Sequence, residues 1–311
     1  MKILLLGANG QLGRSFVEDG GLAARGTLIT ASRNGRRYDD TAIETADLAA
    51  PDALPALLDR LRPDLIVNAA AYTAVDRAEQ EEVLATRVNG EAVGVLGRWA
   101  AAHGALVVHY STDYVFDGAA SAPYPVDAPT APLGTYGRSK LAGEQALRAS
   151  GAAHFIFRTA WVYAPHGQNF LRTMLRVGAE RDELRVVADQ VGAPTSTALI
   201  VAGTLAAFDT WRAADAAQRR ELQGTHHLVA SGHTSWHGFA TAIFDEAHAR
   251  GLLPRVPRVT AITTADYPTP AKRPAWSVLD NSGFAERFGY ALPDWQNGLR
   301  DVLDTLSHQP A

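Results

Sequence analysis

Cysteine is absent from the 311 residues, which excludes disulfides, thiol nucleophiles and cysteine metal sites. Basic residues are not in excess: 29 Lys and Arg stand against 33 Asp and Glu, so no bulk positive charge serves nucleic acid phosphates. Anionic ligands have to be met locally. Long apolar runs are lacking too, and none is long enough to span a bilayer. The opening Met1-Lys2-Ile3-Leu4-Leu5-Leu6 breaks at Gly7 and continues through Asn9, Gln11 and Arg14, which suits a buried first strand better than a signal peptide. A cytoplasmic chain is expected. What is present, 47% hydrophobic and 20% charged residues, is ordinary for a globular enzyme with one large or two modest domains.

Ile3–Leu6 runs into Gly7-Ala8-Asn9-Gly10-Gln11-Leu12-Gly13, and Phe16, Val17 and Leu22 then suggest a helix. Strand, glycine loop and helix in this order make a dinucleotide site, in which glycines admit a pyrophosphate and helix amides hold its charge. Gly7, Asn9, Gly10, Gln11, Leu12 and Gly13 are its expected contacts, although the glycine spacing differs from the common G-x-G-x-x-G. A second strand, Thr27–Ala31, ends at Ser32-Arg33 with no carboxylate for a ribose hydroxyl pair. Arg33, with Arg36 or Arg37, suits a 2′-phosphate, so NADPH is favoured over NADH. Asp47-Leu48 is expected at the adenine. The strand Leu65–Val67 ends in Asn68-Ala69-Ala70-Ala71-Tyr72-Thr73, small residues where a flat cofactor needs close approach.

Helical spacing over Val83–Ala102 and the strand Leu106–His109 continue an alternation that predicts an α/β fold with a doubly wound parallel sheet. Ser111-Thr112-Asp113 follows, then a Pro- and Ala-rich loop, Ala119–Pro132, and a helix predicted over Leu133–Arg148. Tyr136 and Lys140, four apart, share one face of that helix. A neighbouring ammonium lowers a tyrosine pKa from about 10. Tyr136 then becomes a proton donor, with Thr112 a second hydrogen-bond donor to a substrate oxygen. After Phe155–Phe157 the pattern loosens: a helix over Asn169–Val177, a strand Leu184–Val187, a loop Asp189–Thr195 and a helix to Phe208. Residues 1–165 read as mainly the NAD(P)-binding domain and 166–311 as mainly a substrate-binding lobe, with some elements returning. His226, His227, His233 and His237 lack the interleaved carboxylate of a zinc helix, so no metal is expected from them. Tyr267-Pro268-Thr269-Pro270-Ala271-Lys272-Arg273-Pro274 is an extended loop with two cations suited to a diphosphate.

The glycine loop with Thr112, Tyr136 and Lys140 resembles an extended short-chain dehydrogenase/reductase. Four blocks narrow the resemblance to the dTDP-4-dehydrorhamnose reductase family: Ser111–Gly118, Tyr136–Glu144, Arg158–Tyr163 and Tyr267–Pro274. That resemblance implies NADPH-dependent reduction of the C4 ketone of dTDP-4-dehydro-β-L-rhamnose, the last step of dTDP-L-rhamnose synthesis for bacterial surface polysaccharide. It assigns proton donation to Tyr136, the nicotinamide ribose to Lys140, sugar contacts to Thr112, Asp113 and Trp161, and the cofactor's edge to Ala71, Tyr72 and Thr73. Asn169, Gln190 and Arg273 are further substrate candidates. Some members are described as Mg²⁺-linked homodimers using glutamates, at positions where this chain has Ser15 and Thr197, so a metal-free monomer or weak homodimer is expected. The competing readings are a nucleotide-sugar epimerase or dehydratase and a non-catalytic NADP-binding regulatory subunit. Asp113 is followed by Tyr114 rather than the Glu typical of a dehydratase, and the intact Thr112, Tyr136 and Lys140 argue for catalysis.

Overall fold

The computed structural model describes residues 1–308. Six strands, β1 (Lys2–Leu6), β2 (Thr27–Ser32), β3 (Glu44–Thr45), β4 (Leu65–Asn68), β5 (Leu106–Thr112) and β6 (His154–Thr159), join Gly224–His227 in one sheet. Its order is Gly224–His227, β6, β5, β4, β1, β2, β3, and every pairing is parallel. The doubly wound α/β fold read from the sequence is therefore present. Apolar runs fit such a sheet because both faces are covered. Alternate residues of β1 enter different cores: Ile3 and Leu5 pack with Phe16 and Phe157, and Leu4 and Leu6 with Leu58 and Trp99. The strand order reverses between β1 and β4, which opens a crevice at their carboxyl ends.

The helix α1 (Gln11–Asp19) covers one face and packs against Thr197–Ala213 from the carboxyl half. That half also returns Gly224–His227 to the sheet and forms small pairs of its own, Glu183–Val187 with Arg258–Ile262 and Val162–Tyr163 with Thr195–Ser196. A further pair, antiparallel Val191–Gly192 with Thr234–Ser235, lies inside what reads from sequence as a plain loop.

Two helices differ from their sequence periodicity. The stretch expected as one helix over Val83–Ala102 is Glu82–Thr86, a π-helical turn Arg87–Glu91, and Ala92–His103. The wide turn puts Asn89 inside the molecule, where it hydrogen-bonds across to Tyr72 and Ser139. The Tyr136 helix spans Thr135–Ala149 rather than starting at Leu133, because Gly134 is extended and Glu79 accepts the Thr135 N–H at 2.8 Å. No helix among the described residues is long and apolar enough to cross a membrane.

Candidate active site

The glycine loop leaves β1 at the strand-order reversal. Gly7 has φ +83°, and a Cβ there would lie 2.7 Å from the Ala70 nitrogen. A Cβ on Gly13 would lie 2.1 Å from the Gly7 carbonyl oxygen. Both glycines are required by the chain's own backbone. Gly10 is different: it caps α1 with extended backbone, and its Cβ would meet only the Gly7 oxygen, at 3.4 Å. Nothing within the protein demands a glycine there, in contrast to Gly7 and Gly13. Leu12 is buried beneath this loop, and the Asn9 amide donates to the Arg36 carbonyl at 2.8 Å, joining it to the β2 end.

At that end Ser32 is buried, its hydroxyl bonding Arg36 O at 2.7 Å. Arg37 is committed to Asp39, 2.5 Å away, while exposed Arg33 makes no ion pair or side-chain hydrogen bond among the described residues. Arg36 makes one guanidinium contact, to Asp40 O at 3.3 Å, so of the three arginines Arg37 alone is held by a carboxylate. Asp47 accepts the Ala49 N–H at 3.0 Å, and Leu48 beside it is buried. Ala69, Ala70, Ala71, Tyr72 and Thr73 follow β4 across the crevice. Asn89 grips both backbone groups of Tyr72, at 2.8 and 3.0 Å, and donates to Ser139 Oγ at 3.0 Å. One buried amide thereby ties the β4 loop to the Tyr136 helix.

Thr112 closes β5, opposite Thr159. Its hydroxyl donates to Asp113 Oδ1 at 2.9 Å and accepts from the Tyr114 N–H at 3.2 Å. Asp113 is buried, its Oδ2 without a hydrogen-bond partner among the described residues, and burial pushes its carboxyl up to about 6 while the Ser277 and Thr112 hydroxyls pull it down. The Tyr136 ring meets Tyr114 edge-on, centroids 5.5 Å apart. Burial pushes the Tyr136 phenol up to about 12 while the Thr112 hydroxyl pulls it down. The expected lowering by Lys140 is thus corrected. The buried Lys140 ammonium is held by the Tyr110 carbonyl at 2.6 Å, and burial lowers its own pKa to about 8 against the pull of Glu144. Four-residue spacing put the two groups on one helix, but Lys140 exerts no charge effect on the phenol, whose direction is set by desolvation.

This arrangement has recognisable relatives. A family model described as the RmlD substrate binding domain matches residues 1–308. A dTDP-4-dehydrorhamnose reductase of Burkholderia thailandensis is 47% identical over 309 residues, covering 97% of this chain and 99% of its own length. The chain belongs to the dTDP-4-dehydrorhamnose reductase family. The family member from Clostridium acetobutylicum superposes with a TM-score of 0.86 at 35% identity, over 98% of this chain and 99% of that one. The Bacillus anthracis member, solved in complex with NADP, gives 0.83 at 30% identity over the same shares.

Other residues that the family resemblance singled out are placed unevenly. Trp161 follows β6 with its indole stacked on Trp236. Arg273 donates to Asp76 Oδ2 at 2.7 Å, and its buried Nη1 has no partner among the described residues. Asp76 also accepts the Ala271 N–H at 3.1 Å, so the proline-rich loop is fastened beside the segment that follows β4. Asn169 is engaged elsewhere: it caps the helix Phe170–Glu180 and donates to Gln11 Oε1 at 2.8 Å at the glycine loop. Gln190 donates to Thr264 Oγ1 at 3.0 Å. Neither has a hydrogen bond to Thr112, Asp113 or Tyr136 among the described residues. Sequence reasoning missed Asp76, Glu79, Asn89 and Trp236, whose partners are all distant in the chain.

Ser15 and Thr197, where some family members carry glutamates, face each other with hydroxyl oxygens 2.7 Å apart. The described residues hold no cluster of three His, Cys, Asp or Glu arranged for a metal. His226, His227 and His237 each bond a backbone carbonyl, of Leu222, Asp280 and Val259 respectively.

Proposed function

We propose that the chain reduces the C4 ketone of dTDP-4-dehydro-β-L-rhamnose to the alcohol of dTDP-β-L-rhamnose, with NADPH as reductant. The observation that carries this reading is the meeting of Thr112, Asp113, Tyr136 and Lys140 at the carboxyl ends of the strands that also present the glycine loop. The cofactor, when bound, supplies a hydride to C4. Residues fit to hold it are the Gly7–Gly13 loop at the pyrophosphate, Arg33 at the 2′-phosphate, with Ser32 shaping the turn through its bond to Arg36 O, Asp47 and Leu48 at the adenine, and Ala69–Thr73 along its length.

The remaining steps belong to the side chains. As negative charge develops on O4, the Tyr136 hydroxyl gives up its proton to that oxygen, and Thr112, by rotating its hydroxyl away from Asp113, donates a hydrogen bond to it. A phenol pKa raised by burial keeps Tyr136 protonated at neutral pH, the form a reduction requires. Lys140 spends one of its three donors on Tyr110 and has two left for the phenol and a ribose hydroxyl. Asp113 Oδ2 accepts from a sugar hydroxyl, Trp161 flanks the ring, and Arg273 meets the diphosphate. Asn169 and Gln190 support these groups through the glycine loop and Thr264. The first 165 residues carry mainly the cofactor and the remainder mainly the sugar nucleotide. The neutral Ser15–Thr197 pair, with no carboxylate, supports the metal-free reading at these positions; a cytoplasmic monomer or weak homodimer is the accompanying proposal.

The test is NADPH oxidation by the purified protein with enzymatically generated dTDP-4-dehydrorhamnose, beside NADH and with EDTA. Consumption with formation of dTDP-rhamnose, faster with NADPH and resistant to EDTA, is expected. Cofactor binding without turnover of either cofactor would overturn the reading in favour of a regulatory subunit. Loss in EDTA restored by Mg²⁺ would overturn the metal-free part alone.

A further inference from the structure

Trp161 has φ +47°, one of three non-glycine residues with positive φ among the described residues. A bulky side chain in that conformation costs about 1–3 kcal/mol and persists only where its surroundings hold it. Three contacts do so. The indole lies flat on that of Trp236, centroids 3.5 Å apart and planes 3° from parallel. On Gly192 a Cβ would come within 2.6 Å of Trp161 Cε2 and Nε1 and 2.7 Å of Ser277 Oγ, so any larger residue there would press on the ring and on Ser277. The Thr195 N–H donates to the Trp161 carbonyl at 3.2 Å.

These contacts form one built unit. Gly192 and Trp236 are brought together by the antiparallel pairing of Gly192 with Thr234 and Val191 with Ser235. Ser235 then caps the helix Trp236–Ala249 by accepting the Gly238 N–H at 3.0 Å, which sets where Trp236 emerges. Phe170 supports the Trp236 ring, centroids 4.6 Å apart. Trp161 itself lies two residues beyond Thr159, the register partner of Thr112.

We propose that Trp236 and Gly192 are positioning residues for substrate binding. They form a slot that fixes the Trp161 indole, in its strained backbone conformation, at one orientation toward the sugar. An aromatic ring immobilised before the ligand arrives loses little freedom on binding, so the slot acts on affinity for the sugar nucleotide rather than on hydride or proton transfer. This inference rests on the assignment of Trp161 as a sugar contact in the reductase reading above.

The test compares Trp236→Ala, Trp236→Phe, Gly192→Ala and Trp161→Ala with the unaltered protein. Stacked indoles give an exciton-coupled circular dichroism band, read without substrate. Trp236→Ala is expected to abolish that band and raise the KM for dTDP-4-dehydrorhamnose about tenfold, with the KM for NADPH unchanged and kcat within about threefold. Trp236→Phe should lose the band yet recover most of the KM, because a smaller ring still fills the slot. Gly192→Ala should disturb the band and raise the same KM. A sugar-nucleotide KM unchanged in Trp236→Ala and Gly192→Ala would overturn the proposal, as would absence of the band from the unaltered protein. An unaltered protein that shows the band but no turnover would overturn the reductase reading instead. Thermal midpoints near that of the unaltered protein separate lost positioning from lost folding.

Discussion

Tyr136 and Asp113 are both displaced from their ordinary acidities, and in both cases burial is the main cause. For Tyr136 the consequence is a fully protonated phenol at neutral pH, and in the proposed donor role its removal costs the chemical step and not the ligands. Tyr136→Phe is expected to lower kcat by about 10²–10⁴-fold with the NADPH dissociation constant unchanged, measured by steady-state kinetics and cofactor titration. Retained turnover would remove the proton-donor role. Asp113 is ionised above about pH 6 and takes up a proton below it. An acceptor for a sugar hydroxyl is lost on protonation, so kcat/KM should fall as pH drops through about 6. The inflection should be missing from the profile of Asp113→Asn; an inflection that persists there belongs to another group.

Single elements are joined by polar clips. Glu144 on the Thr135–Ala149 helix is fully buried and accepts from Nε and Nη2 of Arg158 on β6, at 2.9 and 2.8 Å, along with the Ser111 hydroxyl of β5 at 2.6 Å. Arg158 continues to the Val126 carbonyl at 2.9 Å, so helix, two strands and the loop after β5 share one charge pair. Glu144→Ala would leave Arg158 buried and unpaired, and is expected to cost about 3–5 kcal/mol in urea unfolding. A loss under about 1 kcal/mol would show that water reaches the guanidinium. Glu79 acts at the other end of the same helix, accepting the Thr135 N–H at 2.8 Å and its hydroxyl at 3.1 Å next to Tyr136. The helix bearing Tyr136 is thus secured by carboxylates at its first turn and in its carboxyl half.

Across the whole molecule, buried histidines link stability to pH. Burial lowers His226 and His227 to about 4 from 6.5, and lowers His109 and His154 as well. Between about pH 6.5 and 4 the unfolded chain binds protons that the native one refuses, so this stability is complete above 6.5 and is lost as pH falls. His226 and His227 contribute roughly 3 kcal/mol apiece as an upper limit. Asp113, with its raised pKa, opposes part of the loss. The urea midpoint should drop between pH 7 and pH 5; an unchanged midpoint would mean that these rings titrate freely in the native state.

The same scale separates what local pattern could tell from what folding decided. β1, β4, β5 and β6 were readable because strands buried on both faces leave continuous apolar runs, and Gly7 and Gly13 because a strand-to-helix turn of this closeness admits no Cβ. The place of Thr112 at a strand end and of Tyr136 and Lys140 on one helix was readable from local pattern, whereas their roles rest only on the family resemblance. The Asn89 clip on Tyr72, the Asp76–Arg273 pair and the Trp161–Trp236 stack span 17, 197 and 75 residues of chain, and leave no periodicity to read. Nor could spacing show which way the Tyr136 acidity moves. Composition and short-range pattern determine which surfaces must be buried; the depth of a charge and the identity of its partner exist only once distant segments have packed.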